Sequence, residues 1–474
     1  MSFLVEDRIE EVKKLFHDSS DIASRVVQRE GGMIGFVYLK SMSNGELFAE
    51  GVYKPIAEFA EKINLENLQN KILRPNDVKE IKESELVDNI VKGAIVLFLE
   101  GQEKAIAIDI QKYPTRTPSE PPTSPVIMGP REGFVEDIKT NISLMRRRLA
   151  SKDLVMKQLK IGKYSSTQVM ISYINGIADP KIVKQVEKRL SEVDIDGVID
   201  SYYLIAFLQE RQNSIFRQVG MAEKPDIIAS KLLEGKVAII VDNSPIVLTV
   251  PFILFEDLQN SNDYYTNHHY SSFIRSIRML GILMAIIASG LYLAMQIYHY
   301  NVLPLKFLVT IADTTQGLPF TPFLETLFIF LLFQILYEVS LRLPSYLGLA
   351  TSVVGALILG DTGVKAGLIS PPGVIIVAVS KIALYLIPQQ SSQVTLLQVI
   401  FIILGGSLGM LGIVAGLIYF TNYLNDLDSY GTPYLAPYSP RVKNDLQDGL
   451  FKENLRDMRY RPEVFHSKNK VRLK

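Results

Sequence analysis

Residues 279–298 read MLGILMAIIASGLYLAMQIY, twenty positions without a charged side chain. A run of about twenty apolar residues is what a helix needs to cross the hydrocarbon core of a bilayer. Four further apolar segments follow: Phe320–Val339, Tyr346–Gly360, Leu368–Pro388 and Leu396–Phe420. Of the 100 Asp, Glu, Lys and Arg residues in this 474-residue chain, only ten fall between Met279 and Pro440. The sequence therefore describes a polar protein joined to a membrane protein.

The remaining composition narrows the function classes. Lys plus Arg equal Asp plus Glu, which argues against a nucleic-acid binder with a basic face. The absence of Cys excludes disulfide scaffolds and Cys-ligated zinc or iron–sulfur centres. His268-His269 has no spaced carboxylate set around it, so no metal and no cofactor is expected. The N-terminus, MSFLVEDRIEEVKK, lacks the basic and apolar regions of a signal peptide. Its Val5, Ile9, Val12 and Leu15/Phe16 spacing predicts an amphipathic helix, and the N-terminal region is expected in the cytosol.

Within the polar part, residues 1–112 form an expected first α/β subdomain, with strands at Met33–Leu39, Ala94–Leu99 and Ala105–Ile110 and helices at Tyr53–Lys62 and Val78–Val91. Residues 113–130 hold six prolines and read as an extended linker. A second α/β subdomain is expected over 131–250. Its first element, Arg131–Ala150, carries an apolar stripe at helical spacing and ends in Arg146-Arg147-Arg148. An arginine run can hold phosphate or acidic lipid, but a solvated helix end is the commoner meaning. Strands are expected at Leu154–Ile161 and Gln168–Ile174. Asp179-Pro180 should open a helix as N-cap and N1, another helix begins at Asp226, and Lys236–Val241 with Ile246–Val250 should form a hairpin. Residues 251–278 are a juxtamembrane segment in which Tyr264, Tyr265, Tyr270 and Phe273 suit the headgroup layer.

In the membrane domain, 279–420, the Arg275/Arg278 pair and the tail 421–474, rich in Lys and Arg, place both ends in the cytosol by the positive-inside rule. An even number of crossings follows. Tyr346–Gly360, with 15 residues ending at Asp361, is short and rich in small residues. The expected fold is thus an α/β cytosolic N-terminal region of two subdomains, followed by an all-α membrane domain of four spans plus one short re-entrant helix. On helical spacing Thr351, Gly355, Ile358 and Thr362 share a face and become candidate pore-lining residues; close helix packing is the plainer use of such small residues. Glu338 and Arg342 form an i,i+4 charge pair, and Glu325, Asp361 and Lys381 are further polar groups near membrane depth, where such residues face a bundle interior or water.

Catalytic look-alikes do not hold up. Gly405-Gly406-Ser407-Leu408-Gly409 matches a nucleophile elbow but sits in an apolar span, and with Gly412 and Gly416 it repeats GxxxG spacing. Asp361-Thr362-Gly363 has no second copy to pair with. Phosphate-cradling GxGxxG and GxxxxGK[ST] loops do not occur. No enzyme activity is expected.

The order of short motifs is specific. It runs through Gly129-Pro130-Arg131-Glu132-Gly133-Phe134, Asn141, Arg146-Arg147-Arg148-Leu149 and Leu233–Asp242 to Asp263-Tyr264-Tyr265. It continues with Leu341-Arg342-Leu343-Pro344, Val354–Gly360, Ala366–Pro371 and Gly431–Pro437. In these residues, over most of 10–465, the chain resembles the A subunit of GerA-type spore germinant receptors. The family usually has a carboxylate where Gln334 stands, often Gln or Asn at Asp361, and Glu or Gln at Lys365. The resemblance implies a subunit of a nutrient receptor in the spore inner membrane. It implies as partners a transporter-like, nutrient-binding B subunit, a C lipoprotein, membrane lipid and further copies of the chain. A homo-oligomeric ring, a pentamer, would form a nutrient-gated cation channel. A non-conducting scaffold, a stage V sporulation paralogue and a secondary transporter are the alternatives.

Overall fold

A computed structural model describes residues 4–29, 32–59, 63–64, 67–68, 78–111, 129–343, 355 and 357–473. The Pro-rich linker thus lies outside the described residues save for its last two positions, and so does most of Tyr346–Gly360.

The first subdomain opens with α1, Val5–Leu15, whose Val5, Ile9 and Val12 are buried as the spacing predicts. Its five strands are β1 (Ile22–Arg29), β2 (Gly32–Leu39), β3 (Val78–Ile81), β4 (Ile95–Leu99) and β5 (Ala105–Ile108), in the order β1-β2-β4-β5-β3. Every pairing is antiparallel. Successive side chains of a strand point to opposite faces. Val96 and Phe98 accordingly enter the core under α1, and Ile95 and Leu97 the core on the other face. Burial on both faces explains why β4 reads as an unbroken apolar run.

Two expectations change here. The helix drawn over Val78–Val91 is a strand, Val78–Ile81, followed by a shorter helix α2, Leu86–Val91. Pairing with β5 outweighs the local helical spacing. Tyr53–Lys62 is helical only to Glu58, and β1, with its polar outer face, had not been anticipated.

The second subdomain repeats this plan. Strands β6 (Leu154–Ile161), β7 (Thr167–Ile174), β8 (Gly220–Ala222), β9 (Val237–Val241) and β10 (Val247–Val250) stack as β6-β7-β9-β10-β8, again antiparallel. Helices α3 (Ile138–Arg148) and α6 (Pro225–Leu233) cover one face, and α4 (Pro180–Ser191) and α5 (Tyr202–Leu208) the other. The expected cap is present: the Asp179 carboxylate accepts from the Lys181 amide with Pro180 at N1. Helix α3 starts at Ile138 rather than Arg131, because Asp137 caps it through the Thr140 amide.

A local signature also repeats. Both α2 and α6 end in a left-handed glycine, Gly93 (φ 95°) and Gly235 (φ 102°), leading straight into the central strand. The turn is closed by Ala94 N to Asn89 O in one case and Lys236 N to Lys231 O in the other, the 6→1 bond of a Schellman ending.

The membrane part contains α7 (His268–Ile297), α8 (Leu305–Thr315), α9 (Pro322–Arg342), α10 (Pro371–Leu384) and α11 (Ser391–Asn425). Three of these, α7, α9 and α11, are long and apolar enough to cross a membrane; α10 is a shorter apolar helix. Between the first two apolar segments, α8 adds a helix that the apolar pattern does not announce.

Helix α11 departs from the single span expected over Leu396–Phe420. Gly409 takes φ 62°, ψ −141° inside it. A Cβ on Gly416 would lie 2.7 Å from Leu404 Cδ1, whereas twelve residues of straight helix rise about 18 Å. The helix folds back at Gly409 into two antiparallel arms, a conformation that glycine adopts at least cost. The remaining glycines of the repeat serve close packing, as their spacing implied: a Cβ on Gly405 would strike the Gly290 carbonyl of α7.

Candidate functional site

The hairpin fixes the topology of the membrane part. At its tip, Tyr298 Oη at the end of α7 donates to the carbonyls of Gly406 (3.1 Å) and Ser407 (2.8 Å). At its base, Gln390 Nε2 bonds Asp257 (2.5 Å), Tyr423 Oη meets Ser214 Oγ (3.1 Å), and Asp426 pairs with Arg211 (3.1 Å). The hairpin thus starts against the juxtamembrane segment and ends against the second subdomain, and the tail leaves on the side where the N-terminal region sits.

Between these levels, three helices share polar contacts. The Ala285 carbonyl of α7 accepts from Ser380 Oγ of α10 and Gln398 Nε2 of α11, each at 2.8 Å. Glu325 of α9, only 3% exposed, accepts from the Ser370 amide at 2.6 Å, where Ser370 caps α10. A carboxylate near a helix N-terminus is favourably placed against the helix dipole. Lys381 of α10 is buried, with Nζ 2.8 Å from Gln334 Oε1 and 3.8 Å from the Phe330 ring centre. Lys381 thus has an amide oxygen and an aromatic face as its partners.

The proposed pore face divides. Thr351 and the side chain of Ile358 lie outside the described residues. Gly355 packs on α9, where a Cβ would come 2.7 Å from Leu336 Cδ2, while Thr362 is exposed. Between them Ile358–Thr362 forms a π turn. Such a turn takes in one extra residue, so side chains beyond it swing by about 100° from the helical register.

Two exposed ion pairs flank this segment: Glu338–Arg342 at 2.7 Å and Asp361–Lys365 at 2.6 Å. Their depths differ. Glu338 is one turn from the end of α9. Gly360 instead lines a small cavity together with Ile329, Leu332, Phe333 and Leu336, from the middle of a helix about 31 Å long. The Asp361–Lys365 pair therefore lies about level with the middle of α9 and is exposed on the single chain.

Sequence reading missed a second constellation, at the junction of the N-terminal region, α7 and the tail. Asp263 receives Arg275 Nε (3.1 Å) and Arg278 Nη1 (2.7 Å). Arg275 Nη1 also bonds Asp448 of the tail (2.9 Å), and Lys452 Nζ donates to the Asp263 carbonyl (2.6 Å). Arg275 and Arg278, read above only as topology markers, thus tie the tail to the first span. The tail is itself folded, with Tyr434, Ala436 and Phe465 buried. Nearby, burial alone would raise the Glu256 carboxyl, but the ammonium groups of Lys231 and Lys236 overcome this and hold it at about 2. Burial pushes the Glu234 carboxyl the other way, up to about 7 against the opposing charge of Lys236.

The arginine run has a different use from either reading of the sequence. Arg146 is 1% exposed and clamps Asp21 of the first subdomain with Nε and Nη2, both at 2.8 Å. Arg147 and Arg148 both hold Glu132. Asp21 lies 125 residues away in sequence, so no local pattern could reveal the pairing.

Comparisons with known proteins agree with the motif order. The family model described as "Bacillus/Clostridium GerA spore germination protein" matches residues 10–464. Spore germination protein KA of Bacillus subtilis (strain 168) is 32% identical over 473 residues, covering 98% of this chain and 87% of that protein. Spore germination protein GerQA of Bacillus cereus is 29% identical over 468 residues, covering 98% and 94%. Among solved structures, the crystal structure of the N-terminal domain of the A subunit of the Bacillus megaterium spore germinant receptor GerK3 matches with 25% identity and a TM-score of 0.39, over 54% of this chain and 98% of that one. With its membrane helices and its motifs in family order, the chain belongs to the Bacillus/Clostridium GerA spore germination protein family, the A subunits of spore germinant receptors.

Proposed function

We propose that this chain is an ion-conducting A subunit of a nutrient receptor in the spore inner membrane, with its N-terminal region and tail on the cytosolic side. Copies assemble into a ring, a pentamer, alongside a transporter-like B subunit and a C lipoprotein. Nutrient binding to the partner favours an open arrangement of the ring by its differential affinity for that state. The chain performs no covalent chemistry.

The observation that carries this reading is the depth of the Asp361–Lys365 pair. A charged side chain facing lipid at the bilayer centre costs about 2.5–3.5 kcal/mol on insertion scales. These two are 58% and 74% exposed in the single chain. A ring that turns this surface inward covers it with water and lines a path with Asp361, Thr362 and Lys365. The Thr hydroxyl supplies donor and acceptor to a passing ion. Thr351, Gly355 and Ile358 belong to the same stretch, with Ile358 as the apolar gate.

The direct test is charge reversal. Asp361→Lys places two cations in the path and should slow nutrient-triggered potassium release from spores by about tenfold, an added barrier of about 1.4 kcal/mol, at unchanged protein level. Release at the normal rate would remove Asp361 from the path.

A further inference from the structure

The second subdomain exposes an apolar surface beside the membrane helices. On α5, Tyr202, Tyr203 and Phe207 are exposed, as are Ile199 before it and Ile215 after it. Aromatic rings with a polar tip settle at the headgroup layer. Tyr202 shares a cavity of about 460 Å³ with Gln209, Ser214, Arg217 and Glu223 and with Ser391 and Ser392 in the first turn of α11. A second cavity, about 350 Å³, runs between the two arms of α11 and is lined by Leu397, Phe401, Leu404, Ala415 and Phe420. Ile215 lines both. The two cavities therefore adjoin at Ile215 beside the base of the hairpin, the first lined by both polar and apolar groups and the second almost wholly apolar.

The first cavity is lined by one cation, Arg217, and one carboxylate, Glu223. Arg217 is 7% exposed; its Nη2 holds Asp257, while Nε and Nη1 have no hydrogen-bond partner among the described residues. It lines the same cavity as Ser391 and Ser392 in the first turn of α11, whose N-cap residue, Gln390, supplies no side-chain cap. Buried guanidinium donors together with a helix N-terminus suit a phosphate. Glu223 then suits an ammonium group on the same ligand. The arginine triplet is no competitor for this role, since all three side chains are already paired.

We propose that these adjoining cavities bind one aminophospholipid, phosphatidylethanolamine in class. Its phosphate lies at Arg217 and the first turn of α11, its ammonium at Glu223, and one acyl chain between the α11 arms. The site does not depend on ion conduction and stands or falls separately from it.

The test uses the full chain in detergent, with native mass spectrometry counting lipids retained from phosphatidylethanolamine, phosphatidylglycerol or phosphatidylcholine. Phosphatidylethanolamine should be retained as one molecule per chain and about tenfold better than the other two. Glu223→Gln should abolish that preference. Ser392→Glu, at an exposed position, should weaken retention of every phospholipid about tenfold by opposing the phosphate. Ala415→Trp, also exposed, should do the same by filling the slot. Equal retention of all three headgroups, or retention unchanged by Ser392→Glu and Ala415→Trp, would overturn the proposal. So would displacement of the lipid by inorganic phosphate, which would mark a free-anion site, or a lipid-free dimer whose slot is closed by a second copy.

Discussion

Removing Arg146 should weaken the junction of the two subdomains, which the Ser20–Met156 and Ser20–Gln158 bonds also hold, and the structure sets the size of the effect. Asp21 is 4% exposed and receives both Arg146 bonds at 2.8 Å plus the Ser19 hydroxyl at 2.7 Å. Arg146 Nη1 also donates to the Ser151 carbonyl at 3.1 Å. Truncating one partner of a buried pair leaves the other as an uncompensated charge and typically costs about 3–5 kcal/mol. Ser19 still donates to the orphaned carboxylate, so Arg146→Met should cost about 3 kcal/mol, the low end of that range. The double variant Arg146→Met/Asp21→Leu should recover most of this loss, because two apolar side chains replace the pair without leaving a charge behind. The assay is urea unfolding of the full chain in detergent. The chain has no Trp, so the transition is followed by far-UV circular dichroism, with the slope compared between variants. A cost below about 1 kcal/mol for Arg146→Met, or a double variant as unstable as the single, would show that the clamp is not what joins the subdomains.

Other expectations follow from single features. Gly409→Ala forces a side chain into φ 62° and to within 2.9 Å of the Tyr298 ring, so it should destabilise the α11 hairpin by about 1–3 kcal/mol, read as a lower thermal midpoint in detergent. Glu234 holds its proton up to about pH 7 in the folded chain against an ordinary value of 4.5. The folded state therefore binds more protons than the unfolded one in that window, and this contribution to stability is full below pH 4.5 and lost as pH rises through 7. The difference in melting midpoint between the natural chain and Glu234→Gln should change across that range and be flat above it. Gln334→Leu removes the hydrogen-bond acceptor of buried Lys381 and should cost about 1–3 kcal/mol, whereas Gln334→Glu should restore or improve stability, measured by the same thermal midpoints.

What the sequence disclosed was local. The strands of β2, β4, β6 and β7, the Asp179-Pro180 cap and the 237–250 hairpin were legible because period and capping chemistry are written within a few residues. Val78–Ile81 was not, because four residues with helix-compatible spacing take their state from β5, 24 or more positions away. The repeated strand order of the two subdomains has almost no counterpart in residue identity beyond a glycine before each central strand. The fold-back at Gly409 was hidden by its setting: a glycine repeat that packs helices and a glycine that turns one look alike. The polar groups divide in the same way. Glu338–Arg342 pairs as i,i+4 spacing predicts, but Asp263 with Asp448 and Arg275 joins parts of the chain that only folding brings together.

The measurement that reaches the central claim most directly uses the absence of cysteine. Gly355 is unsuitable for a probe, because any side chain there meets Leu336; Thr362 is exposed and adjoins Asp361. A single Thr362→Cys chain, present at normal level in spores, is treated with a small charged thiol reagent with and without nutrient while potassium release is followed. Block of release by the reagent, only once nutrient has been added, is the predicted result. Complete labelling with undiminished release would contradict an ion path along this surface and leave the chain a scaffold for its partners.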